Sequence, residues 1–470
     1  MILKRRYQAL LLALSILLTS LPVSSFTSRS VSAPAQASTQ TNETFKFGKV
    51  DLDLLEQVNL LDKRFEKDGL IYHEPILESY LDRVGQSVVA DKKLDNVVWQ
   101  FHALRDAVPN AMALPNGSIY INTGLLALLD NEAQLASVLA HEVIHVSKRH
   151  TYIQNRSMRK KILAINIFGT IASWNPVGGV AGAAINAIAM ISPLMLALSI
   201  FGYSRELEKE ADLEGLKNLT AAGYPPDEMV SSFKLLQKDI EGEQMESFYS
   251  DHPKLRDRVN YIGVSISTTA KKMTDDELRV AKADYLTLTE RVDRQDVELA
   301  ILSERFRSAV YISQKLVDFH PNSSANVFYL AESYRTLGPR TPELTSKELT
   351  GGAKKKEARN RNKRTLEERD MELLKTAASQ QAWKANQEKS EQLYLRALEL
   401  DRFNYLAHRG LGMLYEKIGR KEEAVREYLS YLELAPPDAA DTERFKRRLE
   451  ALKASLVNNG TPVKPLQENN

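Results

Sequence analysis

Residues 141–145 read His-Glu-Val-Ile-His, and residues 204–212 read Ser-Arg-Glu-Leu-Glu-Lys-Glu-Ala-Asp. The first stretch is an HExxH motif inside a segment whose apolar residues recur at helical spacing. At about 3.6 residues per turn, side chains four positions apart lie on one face of a helix, so both imidazoles can bind one metal ion. Glu142 lies beside them, where a carboxylate can take a proton from an attacking water. The pattern predicts a catalytic metal site on a helix.

A third ligand is needed, because catalytic zinc takes three protein ligands and leaves one position open. A third histidine in an HExxHxxGxxH pattern is excluded: Lys148 stands at the glycine position, Thr151 stands at the histidine position, and His150 is one residue short. The second stretch offers carboxylates instead. Glu208 and Asp212 are four residues apart, so one can bind the metal while the other orients a ligand imidazole.

The composition narrows the class of protein. The chain has 470 residues, with 63 Lys and Arg against 61 Asp and Glu, 43% hydrophobic residues and no cysteine. Without cysteine there is no disulfide scaffold, no thiolate ligand and no thiol nucleophile. The formal net charge of +2 argues against a nucleic-acid partner, because nucleic-acid binders carry a basic excess. The length suggests about three domains.

The N-terminus predicts export. Basic residues at 4–6 precede an apolar run from Ala9 to Leu18, and Ala35-Gln36-Ala37 resembles a cleavage site. This pattern is typical of a secretory signal peptide, here residues 1–37, and the alternative is an uncleaved anchor helix. We expect residues 38–67 to form a mobile segment and a first helix. Export of a cysteine-free chain indicates a bacterial periplasmic or envelope location.

The rest of the first half predicts an α+β, mostly helical domain over residues 68–265, followed by a linker helix over residues 266–300. Alternating residues at 118–122 follow the Asn116-Gly117 turn, and they predict a strand at the edge of a small sheet. Residues 162–204 contain no charged side chain. They are long enough for a transmembrane hairpin, but the Gly and Pro breaks favour a shallow, membrane-facing hairpin on the catalytic domain.

The second half carries a repeat pattern. Counting from Tyr405, the residues Leu411, Gly412, Tyr415, Gly419, Ala424, Tyr428 and Pro436 fall at the offsets of a 34-residue helix–turn–helix repeat. A second partial match starts at Ser324. The pattern predicts an all-α tetratricopeptide domain over residues 301–458, and the alternative is two unrelated helical hairpins. A charged insertion at 340–388 is expected to be solvated rather than to contact anionic lipid, and residues 459–470 form a tail.

Three blocks together resemble the zinc metallopeptidase family of the CAAX prenyl protease and HtpX: residues 110–125, HEVIHVSKRH at 141–150 and SRELEKEAD at 204–212. The resemblance covers about residues 70–260 and implies a gluzincin-like fold with one Zn²⁺ per chain. It implies His141, His145 and Glu208 as zinc ligands, Glu142 as general base and acid, and Asp212 as the partner that orients a ligand.

The predicted signal peptide and repeats narrow the resemblance to BepA-like periplasmic proteases. In that subgroup Asp251-His252-Pro253 and Arg258 resemble an element whose histidine can fill the fourth zinc position and whose arginine contacts substrate or the tetrahedral oxyanion. Thr is more usual than Asp251 before this His-Pro. His252 is therefore expected in the site, either as a latch that holds the enzyme inactive or as a catalytic group.

These expectations combine into one function. We expect a zinc-dependent endopeptidase of the cell envelope that cleaves unfolded or misassembled proteins and docks them, or a partner complex, through its repeats. Peripheral membrane contact is expected and nucleic acid is not. One rival is a chaperone or scaffold for envelope protein assembly with little proteolysis. The other is an integral membrane peptidase.

Overall fold

The computed structural model describes residues 45–90, 93–165, 203–243, 255–269, 279–342 and 365–458. Helices make up most of these ranges, and three short strands form one small sheet. The prediction of a mostly helical α+β protein with a small sheet is confirmed. Within the described residues, no helix is both long enough and apolar enough to cross a membrane.

The first half contains eight of the described helices and the sheet. In chain order the elements are α1 (Lys49–Lys67), α2 (Pro75–Val88), β1 (Gln100–Leu104), β2 (Ala111–Ala113), β3 (Ser118–Asn122), α3 (Thr123–Leu128), α4 (Glu132–Ser147), α5 (His150–Ile165), α6 (Arg205–Ala221), α7 (Asp227–Glu243) and α8 (Leu255–Thr269).

The second half is helical throughout its described residues. Its helices are α9 (Lys282–Leu302), α10 (Phe306–Phe319), α11 (Ser324–Leu337), α12 (Leu366–Leu373), α13 (Ala377–Leu400), α14 (Tyr405–Lys417), α15 (Lys421–Leu434) and α16 (Thr442–Asn458).

The sheet corrects one prediction. Strand β3 lies in the centre, paired in parallel with β1 and antiparallel with β2, so the expectation that residues 118–122 form a sheet edge is wrong. Every residue of β3 is buried, including its polar residues. The Ser118 and Tyr120 hydroxyls donate to Asp62 of α1, at 3.0 and 2.8 Å. Strand β2 forms the edge of the sheet on the side of β3 opposite β1.

Helix α4 is the central helix of the first half. Its N-cap Asn131 accepts a hydrogen bond from the backbone N–H of Gln134 at 2.9 Å, which satisfies a donor that the first turn leaves open. All residues from Glu132 to Val146 are buried, and the helix packs against α2, α6 and α7. A helix that is covered on all sides can hold polar side chains away from bulk water.

Helix α6 crosses α4 at a small residue. A Cβ added at Gly215 would lie 3.1 Å from the carbonyl oxygen of Ala140 and from the backbone nitrogen of His141. The absence of a side chain at Gly215 therefore lets the two backbones approach closely. Because Asp212 and Glu208 lie one and two turns earlier on α6, this crossing brings both carboxylates beside His141.

The second half is built from paired antiparallel helices, with close pairs α10/α11, α11/α13, α14/α15 and α15/α16. Helix α13 begins at Ala377, so it starts inside the segment predicted as a charged insertion at 340–388. Helix α12 also lies within that segment. The tetratricopeptide assignment of these pairs stays a prediction.

Several predicted features lie outside the described residues. They are the signal peptide at 1–37, most of the apolar hairpin at 162–204, the loop with Asp251, His252 and Pro253, and the tail at 459–470.

Candidate metal centre

Two histidines of α4 and one glutamate of α6 converge. The Nε2 atoms of His141 and His145 lie 3.0 Å apart. Oxygens of Glu208 lie 3.7 Å from Nε2 of His141 and 3.8 Å from Nε2 of His145. One possible ligand atom of each residue lies within 4.8 Å of those of the other two. Among the described residues, His141, His145 and Glu208 are the group found that could hold a metal ion.

The donor set fits zinc. Two imidazole nitrogens and one carboxylate are an established ligand set of catalytic zinc, which keeps a fourth position open. All three side chains are buried. Burial and the neighbouring His141 lower the pKa of His145 well below its usual value, so His145 is held in the neutral form that binds metal.

Asp212 lies behind the first histidine. Its Oδ1 is 2.9 Å from Nδ1 of His141, the side of the ring away from the other ligands. Burial acts to raise the pKa of this carboxyl, but the Arg258 guanidinium and the His141 hydrogen bond outweigh it and lower the pKa to about 2. The Tyr261 hydroxyl also donates to Asp212. Asp212 is therefore a carboxylate held in place from three sides, as expected of a residue that orients a ligand.

Arg258 of α8 joins the two carboxylates of α6. Its Nη2 and Nε donate to Asp212 at 2.6 and 2.9 Å, and its Nη1 lies 3.2 Å from Glu208. The guanidinium carbon lies 4.2 Å from the centre of the Phe233 ring. This buried cation offsets part of the negative charge that the two carboxylates bring into the site. Its expected contact with substrate stays a prediction.

The second histidine is supported differently. Nδ1 of His145 lies 3.0 Å from Nδ1 of His150, the first residue of α5. The Tyr203 ring stacks on His145 with centroids 3.9 Å apart and an interplanar angle of 18°. The Tyr203 hydroxyl is hydrogen-bonded to Thr151 at 2.9 Å. No carboxylate among the described residues takes the place behind His145 that Asp212 takes behind His141.

A cleft opens over the ligands. Glu142 lines it together with His141 and is 8% exposed, whereas Glu208 is 2% exposed and is not among the lining residues. The loop before β2 forms one wall, and α7 and α8 form the other. The lining residues are Pro109, Asn110, Ala111, Leu125, Val138, His141, Glu142, Phe233, Leu236, Leu255 and Arg258.

The structure thus brings together six of the seven predicted site residues: His141, Glu142, His145, Glu208, Asp212 and Arg258. The seventh, His252, lies outside the described residues. The sequence motifs did not indicate Tyr203, Tyr261 or Phe233 as site residues, and they offered His150 only as a possible direct ligand. Signals for two of them were present, because Tyr261 follows Arg258 by one helical turn and Tyr203 directly precedes the N-cap Ser204.

Comparison with known proteins identifies the domain that carries this site. Residues 75–264 match Peptidase family M48. The chain carries a peptidase family M48 domain. The predicted family is confirmed, and the match supports the metalloendopeptidase class predicted for this domain.

Relatives of the M48 domain come from bacteria and from mitochondria. A putative beta-barrel assembly-enhancing protease of Vibrio cholerae is 30% identical over 197 residues, which cover 40% of this chain and 39% of that protein. The mitochondrial metalloendopeptidase OMA1 of Schizosaccharomyces pombe is 28% identical over 194 residues, covering 41% and 53%. OMA1 of Saccharomyces cerevisiae is 32% identical over 173 residues, covering 35% and 46%. The chain thus spans between about two fifths and about half of these relatives.

Proposed function

We propose that this protein is a zinc-dependent endopeptidase of the bacterial cell envelope that cleaves unfolded or misassembled proteins. The observation that carries the proposal is the convergence of His141, His145 and Glu208 beneath a cleft that Glu142 enters. A purely structural zinc site needs ligands but no carboxylate beside the open position. The placement of Glu142 favours catalysis over a structural role for the metal.

The side chains divide the chemical work. Zinc held by the three ligands would supply a Lewis acid that polarises a water or a peptide carbonyl. Glu142 takes the proton of the attacking water and returns it to the leaving amine, the role of a general base and then a general acid. Arg258 and Tyr261 hold Asp212, and Asp212 holds the ring of His141 in orientation.

The edge strand β2 suggests how substrate binds. The carbonyl of Asn110 accepts a hydrogen bond from the backbone N–H of Asn122 at 2.9 Å, and the N–H of Leu114 donates to the carbonyl of Ser118 at 2.8 Å. Because pairing alternates along an antiparallel strand, the N–H and C=O groups of Ala111 and Ala113 face away from β3. Ala111 also lines the cleft. An extended peptide can therefore add as a strand along β2, and such binding reads backbone rather than sequence. Broad specificity for unfolded chains follows.

The proposal also covers the cellular location of the enzyme and the proteins that it cleaves. The predicted signal peptide supports export, and the name of the Vibrio cholerae relative attributes to that protein a role in β-barrel assembly. We extend this to clients that are envelope proteins stalled during assembly. The helical pairs of the second half are proposed to dock such a client or a partner complex, and the apolar segment at 162–204 is proposed to contact the membrane surface.

One variant tests the catalytic proposal. Glu142→Gln is expected to keep zinc and fold while cleavage of an unfolded protein such as casein drops by at least about 10²-fold, because removal of a general base costs roughly 10²–10⁴ in rate. The measurements are zinc content by elemental analysis and cleavage rate of the purified chain. Glu206→Gln, an exposed carboxylate on α6, is the matched control and should match wild type. Full cleavage by Glu142→Gln would contradict the mechanism, whereas little or no cleavage by the zinc-loaded wild-type chain would favour the chaperone or scaffold.

A further inference from the structure

The two ligand histidines are supported from behind by different groups. His141 has a carboxylate at its Nδ1, while His145 has a second imidazole, that of His150, with the two Nδ1 atoms 3.0 Å apart. His150 is completely buried. Buried polar groups are nearly always hydrogen-bonded, so the contact between the two rings calls for one donor and one acceptor.

The geometry of the ligands decides which ring donates. His145 directs its Nε2 towards Nε2 of His141 and towards Glu208, so Nε2 is the nitrogen that faces the metal position. A neutral imidazole that binds metal through Nε2 carries its proton on Nδ1. Nδ1–H of His145 therefore donates, and Nδ1 of His150 accepts. His150 then carries its own proton on Nε2, which lies 3.4 Å from Oε2 of Glu210 on α6.

The backbone is bent so that His150 can reach this place. Helix α4 ends at Ser147, and Arg149 adopts φ of +58°, in the left-handed region that residues other than glycine rarely enter. The conformation is held from outside, because the Arg149 guanidinium donates to the carbonyl of Asp95 at 2.7 Å and lies 5.3 Å from the centre of the Phe47 ring. The turn brings His150 back against His145. In an uninterrupted helix the two residues, five positions apart, would lie on different faces.

We propose that His150 is a positioning residue for the zinc site. Its Nδ1 accepts the Nδ1 proton of His145 and so fixes the tautomer and ring orientation in which Nε2 of His145 binds metal. The Glu210 carboxylate lies on the Nε2 side of His150, 3.4 Å away, where a proton on that nitrogen is favoured electrostatically. The proposal rests on the proposed zinc site and deepens it.

An uncharged acceptor suits the charge of the site. Glu208 and Asp212 already bring two buried carboxylates, and Arg258 offers one buried cation among the contacts described. A third carboxylate behind His145 would be a further buried ionised group, and removing such a group from water is costly even beside the positive charge that zinc would bring. A neutral imidazole orients the ring without that cost. Stacking of Tyr203 on His145 restrains the same ring from its face.

Two substitutions at residue 150 separate positioning from simple packing. His150→Asn keeps an acceptor oxygen near the position of Nδ1 but removes most of the ring. His150→Phe keeps the ring shape but removes the acceptor. Zinc affinity of the full chain is measured by competition with a chromophoric chelator, and loss of an outer partner of a ligand is expected to weaken it about 10–100-fold.

Positioning predicts that His150→Phe loses zinc affinity by that factor while His150→Asn stays within about threefold of wild type. A packing role predicts the reverse order. Equal affinities in wild type and His150→Phe, or equal losses in both variants, would overturn the proposal. Should His150→Phe fail to fold by circular dichroism, His150→Gln replaces it, because glutamine places its polar atoms near Nε2 rather than Nδ1. Absence of zinc binding by the wild-type chain would instead count against the proposed function.

Discussion

Helices come into close contact in both halves of the molecule through glycine, but what faces the glycine differs. In the peptidase domain Gly215 of α6 faces backbone atoms of Ala140 and His141, 3.1 Å from where its Cβ would be. In the second half Gly410 faces the ring of Tyr394 and Gly412 faces the ring of Tyr428, where an added Cβ would lie 2.4 and 2.7 Å from the ring atoms. Both tyrosines are fully buried.

The difference separates two uses of the same packing device. At Gly215 the close approach of α6 to α4 places the carboxylates of α6 beside His141. Its main effect is therefore on the geometry of the metal site. At Gly410 and Gly412 the approach buries large aromatic rings, which contributes to the hydrophobic term that stabilises the helix pairs. Changes at the first crossing should therefore affect metal binding, and changes at the second should affect stability alone.

The largest expected effect is on zinc content, when the ligand carboxylate of α6 is removed. Glu208→Ala removes a buried ligand and should reduce the zinc content from one per chain to near zero, with loss of cleavage, as measured by elemental analysis and a casein assay. Two ligands do not hold catalytic zinc firmly. Glu206→Ala, which removes an exposed carboxylate two residues away, should retain full zinc. Normal zinc content in Glu208→Ala would place the metal elsewhere.

A smaller effect is expected at the tyrosine-facing glycines. Gly410→Ala puts a Cβ 2.4 Å from the Tyr394 ring, and the ring is fixed because its hydroxyl donates to Glu332 and Arg335 donates to it. Overpacking should lower the free energy of unfolding by about 1–3 kcal/mol in urea titration, while zinc content stays normal.

Gly263→Ala is the control for the stabilisation that any Gly→Ala change inside a helix brings. Nothing lies within 4 Å of a Cβ at that position on α8, so alanine should stabilise by about 0.5–1 kcal/mol. A Gly410→Ala variant as stable as wild type would mean that the second half does not depend on this contact.

The third effect tests the crossing in the peptidase domain. Gly215→Ala places a Cβ 3.1 Å from backbone atoms, so α6 must move by a few tenths of an ångström and carry Glu208 and Asp212 with it. We expect zinc affinity to fall several-fold, up to about tenfold or roughly 1.4 kcal/mol, in a chelator competition. If zinc affinity were unchanged while stability fell as in Gly410→Ala, the contrast between the two crossings would be wrong.

Contacts set by spacing within one helix could be predicted from the sequence, and contacts set by packing between elements could not. Spacing along one helix pairs His141 with His145 and Glu208 with Asp212, because the geometry of a helix is regular. The contacts of His150 and Tyr203 with His145 could not be read in this way. They depend on a left-handed turn at Arg149 and on packing between separate elements, which no periodic pattern records. The central place of β3 was missed for a similar reason, since α1 supplies the carboxylate that pairs with its buried polar residues.

The smallest effect concerns the junction of the two halves, where α9 packs on α3. Asp296 of α9 is buried, and the Thr123 hydroxyl donates to it at 3.0 Å. Burial raises the pKa of Asp296 to about 8, with Asp293 and Asp106 adding to the shift while Thr123 and Arg305 oppose it. Burial likewise raises the pKa of Asp293 and of Asp106 to about 6. Between pH 7 and 9, Asp296 is therefore the member of this group that changes charge.

The sign of the resulting pH dependence follows from the raised pKa. The folded state binds the proton more tightly than the unfolded state, so the contribution of Asp296 to stability is complete at low pH and is lost as pH rises through about 8. We expect the free energy of unfolding to fall by about 1 kcal/mol between pH 7 and 9. Asp296→Asn, which resembles the protonated acid, should flatten that slope in urea titrations, whereas Asp284→Asn, at an exposed position of the same helix, should retain it. An equal slope in wild type and Asp296→Asn would show that Asp296 carries no proton at neutral pH and is buried there as a carboxylate beside the Thr123 hydroxyl.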